Sequence, residues 1–522
     1  MPVSPTYPGV YIEEIASGVR TIVGVSTSDT AFVDYFSRGP MNEATRITSF
    51  DDFERKFGGL HRDSEASYAI QQFYLNGGQV GWVVRVAGGA PAAARTILRG
   101  GSPEQNALTV SAANEGLWGE RIQVAVDYLT REPDQFNLVA REIGIVRGQP
   151  QVLGSEVHRN LSMDQTRSNW AAGVINDRSQ LIRVEDAGLG QRPLPRGANA
   201  NVTSIQAIND LNNTVFAALT GGSDGSLPGA DELTDGLAAL DRIAPAIFSI
   251  LCLPRAANLE DAAMSQVVAA ATAYAEAKRA FYIVDTPASV EREDQMREWM
   301  ADHDGIRHRN AAVYFPRLTI PDALNEFRLR SVGPSGTMAG VYARIDSSRG
   351  VWKAPAGTEA DLRGARLLTR LNDLENGALN PLGVNVLRTF PVVGNVSWGA
   401  RTLEGADIEA SEWKYIPIRR LALFIEESLS QGLQWVVFEP NDEPLWAQIR
   451  LNVGAFMQNL FQKGAFQGRS PREAYFVRCD AETTTQNDRD LGIVNILVGF
   501  APLKPAEFVI IKIQQMAGQV QV

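Results

Sequence analysis

Helix-like and strand-like stretches alternate along the second half of this chain, a β-rich segment interrupts its first half, and a short strand-like run lies near each end. Together they predict an α/β (α+β) multidomain protein: a core α/β domain carrying an inserted mostly-β domain, with extended β-arms at its amino and carboxyl termini. A length of 522 residues also exceeds what one hydrophobic core organises, so two or three domains are expected.

The elements follow in chain order. Pro2, Pro5, Pro8 and Gly9, then the alternating Val10-Tyr11-Ile12, suit an extended arm and not a helix. The mixture of β-branched and aromatic residues in TIVGVSTSDTAFVDYF, residues 21–36, reads as a buried strand pair. Ser49, with Asp52 three residues on and Gly58 beyond, marks a short capped helix. A second helix runs from Glu65 to Asn76, stops at Gly77-Gly78 and feeds a strand from Val80 to Val86. From Gly88 to about Gly225, turn-forming residues rise and helical periods vanish, leaving the short strands ALTVSA, RIQVAVDY, FNLVAR and LIRVED. Helix and strand then alternate: AIFSILCL, an Ala-rich helix from about Glu260 to Lys278, AFYIVD, a helix around Val290 to Asp302, and AAVYFP. That rhythm predicts parallel strands.

Repeated Gly, Pro and Asn between Arg349 and Arg401 read as a long ordered loop region. Leu421, Phe424, Ile425 and Leu429 recur at helical spacing. So do Trp446, Ile449, Val453, Phe456, Leu460 and Phe461, in a helix that starts near Asn441, carries Pro444 in its first turn and ends at Gly464. Strands YFVRCD and IVNILVGFAP follow, Pro502 and Pro505 break the fold, and EFVIIKI, Glu507 to Ile513, makes a last strand. The expected division is an arm over 1–20, core over 21–88, insert over 89–225, core again over 226–505, and a second arm over 506–522.

Composition narrows the function classes. A chain that is 44% apolar and 21% charged is ordinary folded protein. A net charge of -11 opposes general nucleic-acid binding, which needs clustered cations. Cys252 and Cys479, the only two cysteines, lie in apolar or strand-like runs and read as buried free thiols, consistent with a reducing cytoplasm. Neither a signal peptide nor a membrane-spanning run is present, so synthesis and folding in the cytoplasm are expected, with release by lysis or within a particle.

Candidate chemistry is thin. His303 and His308 lack helical ligand spacing and read as a solvated turn. Gly221-Gly222 has no phosphate-binding lysine, and VGPSGTM, Val332 to Met338, is one residue short of a nucleophile elbow and reads as loop. Trp398 and Trp413, near Arg401, Arg419 and Arg420, read as aromatics packed on arginine stems. No catalytic residue, cofactor or metal site is expected.

Several blocks nevertheless share one resemblance. YPGVYIEE, SFDDFERKFGG with QQFYLNGGQVGWVVRV, NEGLWGERIQVAV with EVHRNLSMD, and GGSDG are followed by NPLGVNVLRTFPVVGNVSWGARTL, WKYIPIRRLALFIEESL, VFEPNDEPLW and APLKPAEFVIIKI. In this order they resemble the contractile tail sheath proteins of phages and related injection particles, over nearly the whole chain. The resemblance implies a structural subunit, made and assembled in the bacterial cytoplasm, that polymerises as sixfold rings stacked helically around an inner tube protein. Baseplate and terminal cap proteins would be further partners, with no direct nucleic acid contact and no membrane insertion. It implies that the insert is displayed outward and that contraction of a metastable sheath drives the tube. The arms would link subunits through Tyr7, Val10, Tyr11 and Ile12 at one end and Phe508, Val509, Ile510, Ile511 and Ile513 at the other. A tube-facing helix late in the chain would present Gln458 and Lys463. Two alternatives remain: a virion tail sheath instead of a genome-free injection particle and, from another class, an α/β hydrolase-like enzyme.

Overall fold

A computed structural model describes residues 21–196, 203–212 and 214–510. Its largest sheet has eight strands in the order Gly394–Ser397, Val384–Phe390, Ala311–Phe315, Phe281–Val284, Ile250–Cys252, Thr30–Asp34, Gly81–Arg85, Ala44–Ile47. The six inner strands are parallel, and only the outermost strand on each side runs antiparallel. Inner strands such as AAVYF are buried along their whole length, the pattern expected when helices cover both faces of a parallel sheet. One face packs under the helices Ala230–Ala238, Asp261–Ala277 and Glu293–Asp302 through Leu237, Val267, Met296 and Trp299. The other packs under Phe50–Phe57, Glu65–Asn76 and Ser335–Arg349 through Phe53, Phe73, Met338 and Tyr342.

Helix ends follow local chemistry. Ser49 accepts from Asp52 N–H, and Gly58 closes the Phe50–Phe57 helix at φ 91°. The Asp52 carboxylate reaches back to Thr48 N–H instead of the capping residue's own amide, so the reciprocal bond of the expected box is displaced by one residue. Gly77 ends the Glu65–Asn76 helix at φ 118°.

Strands from both sides of residues 95–218 share the large sheet, Thr30 lying beside Ile250. The intervening residues form a four-stranded sheet, ordered Ala217–Ala218, Ile122–Asp127, Phe136–Val146, Gln149–Leu161, and a three-stranded one, Arg95–Gly100, Gln105–Ala112, Ile182–Asp186. Leu108, Val110, Val124 and Leu138 join these two sheets in a common core with the short helix Ala171–Arg178. At their root the incoming and outgoing chains run side by side, Gly88 against Ser226 and Ala92 against Ser223.

Three expectations need correction. Residues 21–36 make one strand, Thr30–Asp34, because Ser26, Thr27 and Asp29 use their side chains in local and long-range hydrogen bonds instead of a ladder. The 349–401 segment is not a loop region: Val384–Phe390 is an inner strand of the large sheet, and Asp373–Leu379 is a helix capped by Asn372. VGPSGTM opens the buried helix Ser335–Arg349 rather than a loop, with Pro334 at its first boundary.

The carboxyl-terminal region packs the helices Ile416–Gly432 and Glu443–Gln462 against a two-stranded antiparallel sheet, Tyr475–Arg478 with Leu497–Phe500. Leu421, Ile425, Trp446, Ile449 and Val453 form the shared core, as their helical spacing predicts. Cys252 and Cys479 are both buried and unpaired.

Candidate assembly interface

The Tyr475–Arg478 and Leu497–Phe500 strands pair with each other and with no third strand among the described residues. Such a sheet presents rows of unpaired N–H and C=O groups and is a template for an added strand. Its surface keeps Phe476 and Leu497 about half exposed, at 48% and 52%. Beyond it, Ala501 N–H donates to Ala474 O, Gln467 N–H to Ala501 O, and Pro502 bridges Phe466.

The chain then leaves the sheet. Over Glu507–Ile510 the expected strand is absent, and Phe508, Val509 and Ile510 are 76%, 81% and 81% exposed. Ile511 and Ile513 lie outside the described residues, as do Tyr7, Val10, Tyr11 and Ile12. Glu507, near the end of the described residues, is gripped by the core. Arg401 Nε and Nη2 donate to its two carboxylate oxygens at 2.8 and 2.7 Å. A cleft of about 910 Å3 opens beside this segment, lined by Trp352, Trp398, Lys353, Lys463 and Phe508 among others.

Lys463, at the end of the Glu443–Gln462 helix, is exposed on the rim of that cleft. Gln458 points inward on the same helix and accepts from the Tyr475 hydroxyl at 2.9 Å. The two residues therefore sit in different environments. Trp398 leans on Phe390 at 4.4 Å between ring centroids, and Arg419 covers Trp413 at 4.9 Å, so only the second pair has the expected arginine-on-aromatic form. Arg401 is instead a buried ion-pairing residue, 1% exposed.

No group of three His, Cys, Asp or Glu side chains is placed to hold a metal ion among the described residues. His303 is not solvated: its ring stacks on Trp299, and its nitrogens lie 2.8 Å from Trp299 O and 2.8 Å from Asp261 Oδ1. It joins the end of one helix to the start of another. Sequence reasoning missed two buried carboxylates, Asp34 and Asp285. Burial pushes Asp34 up to about 7 and Asp285 up to about 6, against the hydrogen bonds that favour their charged forms. Asp34 accepts from Ala66 N–H and Asp285 from Ser335 N–H, each at the start of a helix, so both are occupied as caps. No helix is long and apolar enough to cross a membrane among the described residues.

Comparison with known proteins places this architecture among contractile sheaths. The fold matches a sheath complex of an extracellular contractile injection system, PVC, in its contracted state, with a TM-score of 0.58 at 21% identity over 98% of this chain and 99% of that one. It matches the contracted helical sheath of the anti-feeding prophage with a TM-score of 0.55 at 23% identity, over 98% and 100%. The sheath tail protein of Listeria innocua matches with a TM-score of 0.60 at 15% identity, over 92% and 96%. The chain thus has the fold of the contractile sheath proteins. Residues 409–516 match the phage tail sheath C-terminal domain. The tail sheath protein of Vibrio phage KVP40 is 30% identical over 139 residues, 26% of this chain, a stretch that spans only 20% of that relative.

Proposed function

We propose that this chain is the sheath subunit of a contractile machine and not an enzyme. It polymerises as sixfold helical rings around an inner tube and shortens to drive that tube through a target envelope. The observation that carries this reading is the carboxyl-terminal exit, where an apolar run leaves the core exposed near an open two-stranded sheet. An apolar strand cannot satisfy its backbone or bury its side chains alone. Lending it to the sheet edge of a neighbouring copy does both. Such a contact is head-to-tail, and head-to-tail contacts that do not close generate helical filaments.

In this proposal Phe508, Val509, Ile510, Ile511 and Ile513 form one linking arm, and Tyr7, Val10, Tyr11 and Ile12 another. Residues 89–225 are an outward decoration, and 226–505 complete the core begun by 21–88. Lys463 is the better tube contact, because Gln458 is engaged by Tyr475 of its own subunit. The neighbouring copies, the tube protein, a baseplate and a cap are the partners, assembled in the cytoplasm. Negative-stain imaging of the purified chain tests the reading: striated tubes support it, and compact oligomers of fixed size overturn it. A phage tail and a genome-free particle both use such a subunit. Capsid and packaging genes beside this one would indicate the first, and ATPase and effector genes the second.

A further inference from the structure

Two sequence blocks, SWGARTL and APLKPAEFVIIKI, meet in a single ion pair between residues 106 positions apart. Arg401 is held from all sides before Glu507 reaches it. Its backbone N–H donates to Asn385 Oδ1 at 2.7 Å, and its Nη1 donates to Asn380 O and Asp407 Oδ1, both at 2.9 Å. Lys414 balances Asp407 at 2.6 Å. One edge of the guanidinium, Nε with Nη2, is left facing outward, and that edge matches a carboxylate bidentately. On the other partner's side, Leu503, Lys504, Ala506 and Phe508 are exposed and Pro505 and Glu507 half-buried, and of these two Glu507 is the one whose side chain bonds the guanidinium.

We propose that Arg401 is a carboxylate socket that fixes the root of the carboxyl-terminal segment on the large-sheet body, with Glu507 as its key. Resting on the sheath reading above, the socket makes residues 508 onward leave each subunit from one place and in one direction, toward the neighbour that receives them. Without it the last fixed point falls back to Pro502, which bridges Phe466. The freed residues 503–507 then add about 17 Å of reach in any direction. The effective concentration of the arm at its acceptor falls accordingly.

Glu507→Gln and Glu507→Ala leave Arg401 paired with Asp407, so the subunit should fold, and Arg401→Lys removes the fork while keeping the charge. Spin labels at Leu374→Cys and Val509→Cys, both exposed positions, report the distance distribution in the full chain below its assembly concentration; the native cysteines are buried. The expected result is a distribution about twofold wider in all three variants, with the melting midpoint kept in the two Glu507 variants and lowered in Arg401→Lys, which also loses the Nη1 bonds to Asn380 O and Asp407, and shorter tubes from the unlabelled variants. An unchanged width in the folded variants overturns the socket. A wider distribution with full-length tubes overturns its role in assembly. If the unsubstituted chain makes no tubes, the sheath reading fails, and the distance distribution still decides the socket.

Discussion

Asp34 and Asp285 end strands on either side of Ile250–Cys252, both fully enclosed, and each holds the first turn of a helix by its backbone amide. Their folded pKa values are raised, so between 3.8 and about 7 the folded chain keeps a proton on Asp34 that the unfolded chain has released. More protons bound in the native state means that stability falls as pH rises through that window and levels off above it. Asp285 adds the same slope between 3.8 and about 6. Asp34→Asn keeps an acceptor for Ala66 N–H and removes the titration. It is expected to flatten the curve by about 1.4 kcal/mol per pH unit across the Asp34 window. Denaturant unfolding at pH 5, 6, 7 and 8 measures the slopes, and identical slopes in the two proteins would refute the assignment.

At the scale of elements, Gly336 and Gly340 let the Ser335–Arg349 helix lie directly on Glu65–Asn76. A Cβ added at Gly336 would lie 2.2 Å from Ala69 O, and one at Gly340 would lie 2.5 Å from Phe73 O. Alanine would favour either helix position by up to about 1 kcal/mol on propensity alone. The clash is with backbone and outweighs that gain. Gly336→Ala and Gly340→Ala are each expected to destabilise the chain by about 1–3 kcal/mol in denaturant unfolding, and a gain in stability would show that the helices can separate. The terminal arm is tested by Ile511→Pro, which removes a ladder donor from a strand the proposal places in a neighbour's sheet. Melting is expected to stay the same while long tubes fail to form, and full-length tubes from this variant would exclude a strand-donating role for the segment.

For the whole molecule, the side-by-side passage of Gly88 and Ser226 predicts that residues 89–225 can be replaced by a short Gly/Ser linker. The join is not free. Arg85, fully buried, donates to Gly39 O and also to Glu115 O inside the removed segment. Losing that acceptor is expected to cost about 1–3 kcal/mol. Assembly should persist, with tubes of smaller outer diameter by electron microscopy and a lower melting midpoint. An insoluble deletion variant together with an unfolded isolated segment would mean that the two parts fold only as one.

What could be read from residue order was whatever nearest neighbours decide. Ser49 with Gly58, Gly77 after Asn76, Pro444 near the start of its helix and the apolar spacing from Trp446 to Leu460 all express forces acting within a turn or two of chain. The parallel order of the inner strands followed from alternating helix and strand. What residue order left open depends on contacts between distant parts. Val384–Phe390 carries Gly, Pro and Asn at its flanks and becomes a strand only because Ala311–Phe315 offers it an edge. VGPSGTM read as loop, yet its Gly336, with Gly340 one turn on, is what allows the helix to press against Glu65–Asn76. Asp34 titrates high only once a sheet and two layers of helices exclude water from it. Arg401 and Glu507 carry no mark of partnership in the sequence, since an ion pair across 106 positions exists only where the folded backbone brings both ends to one place.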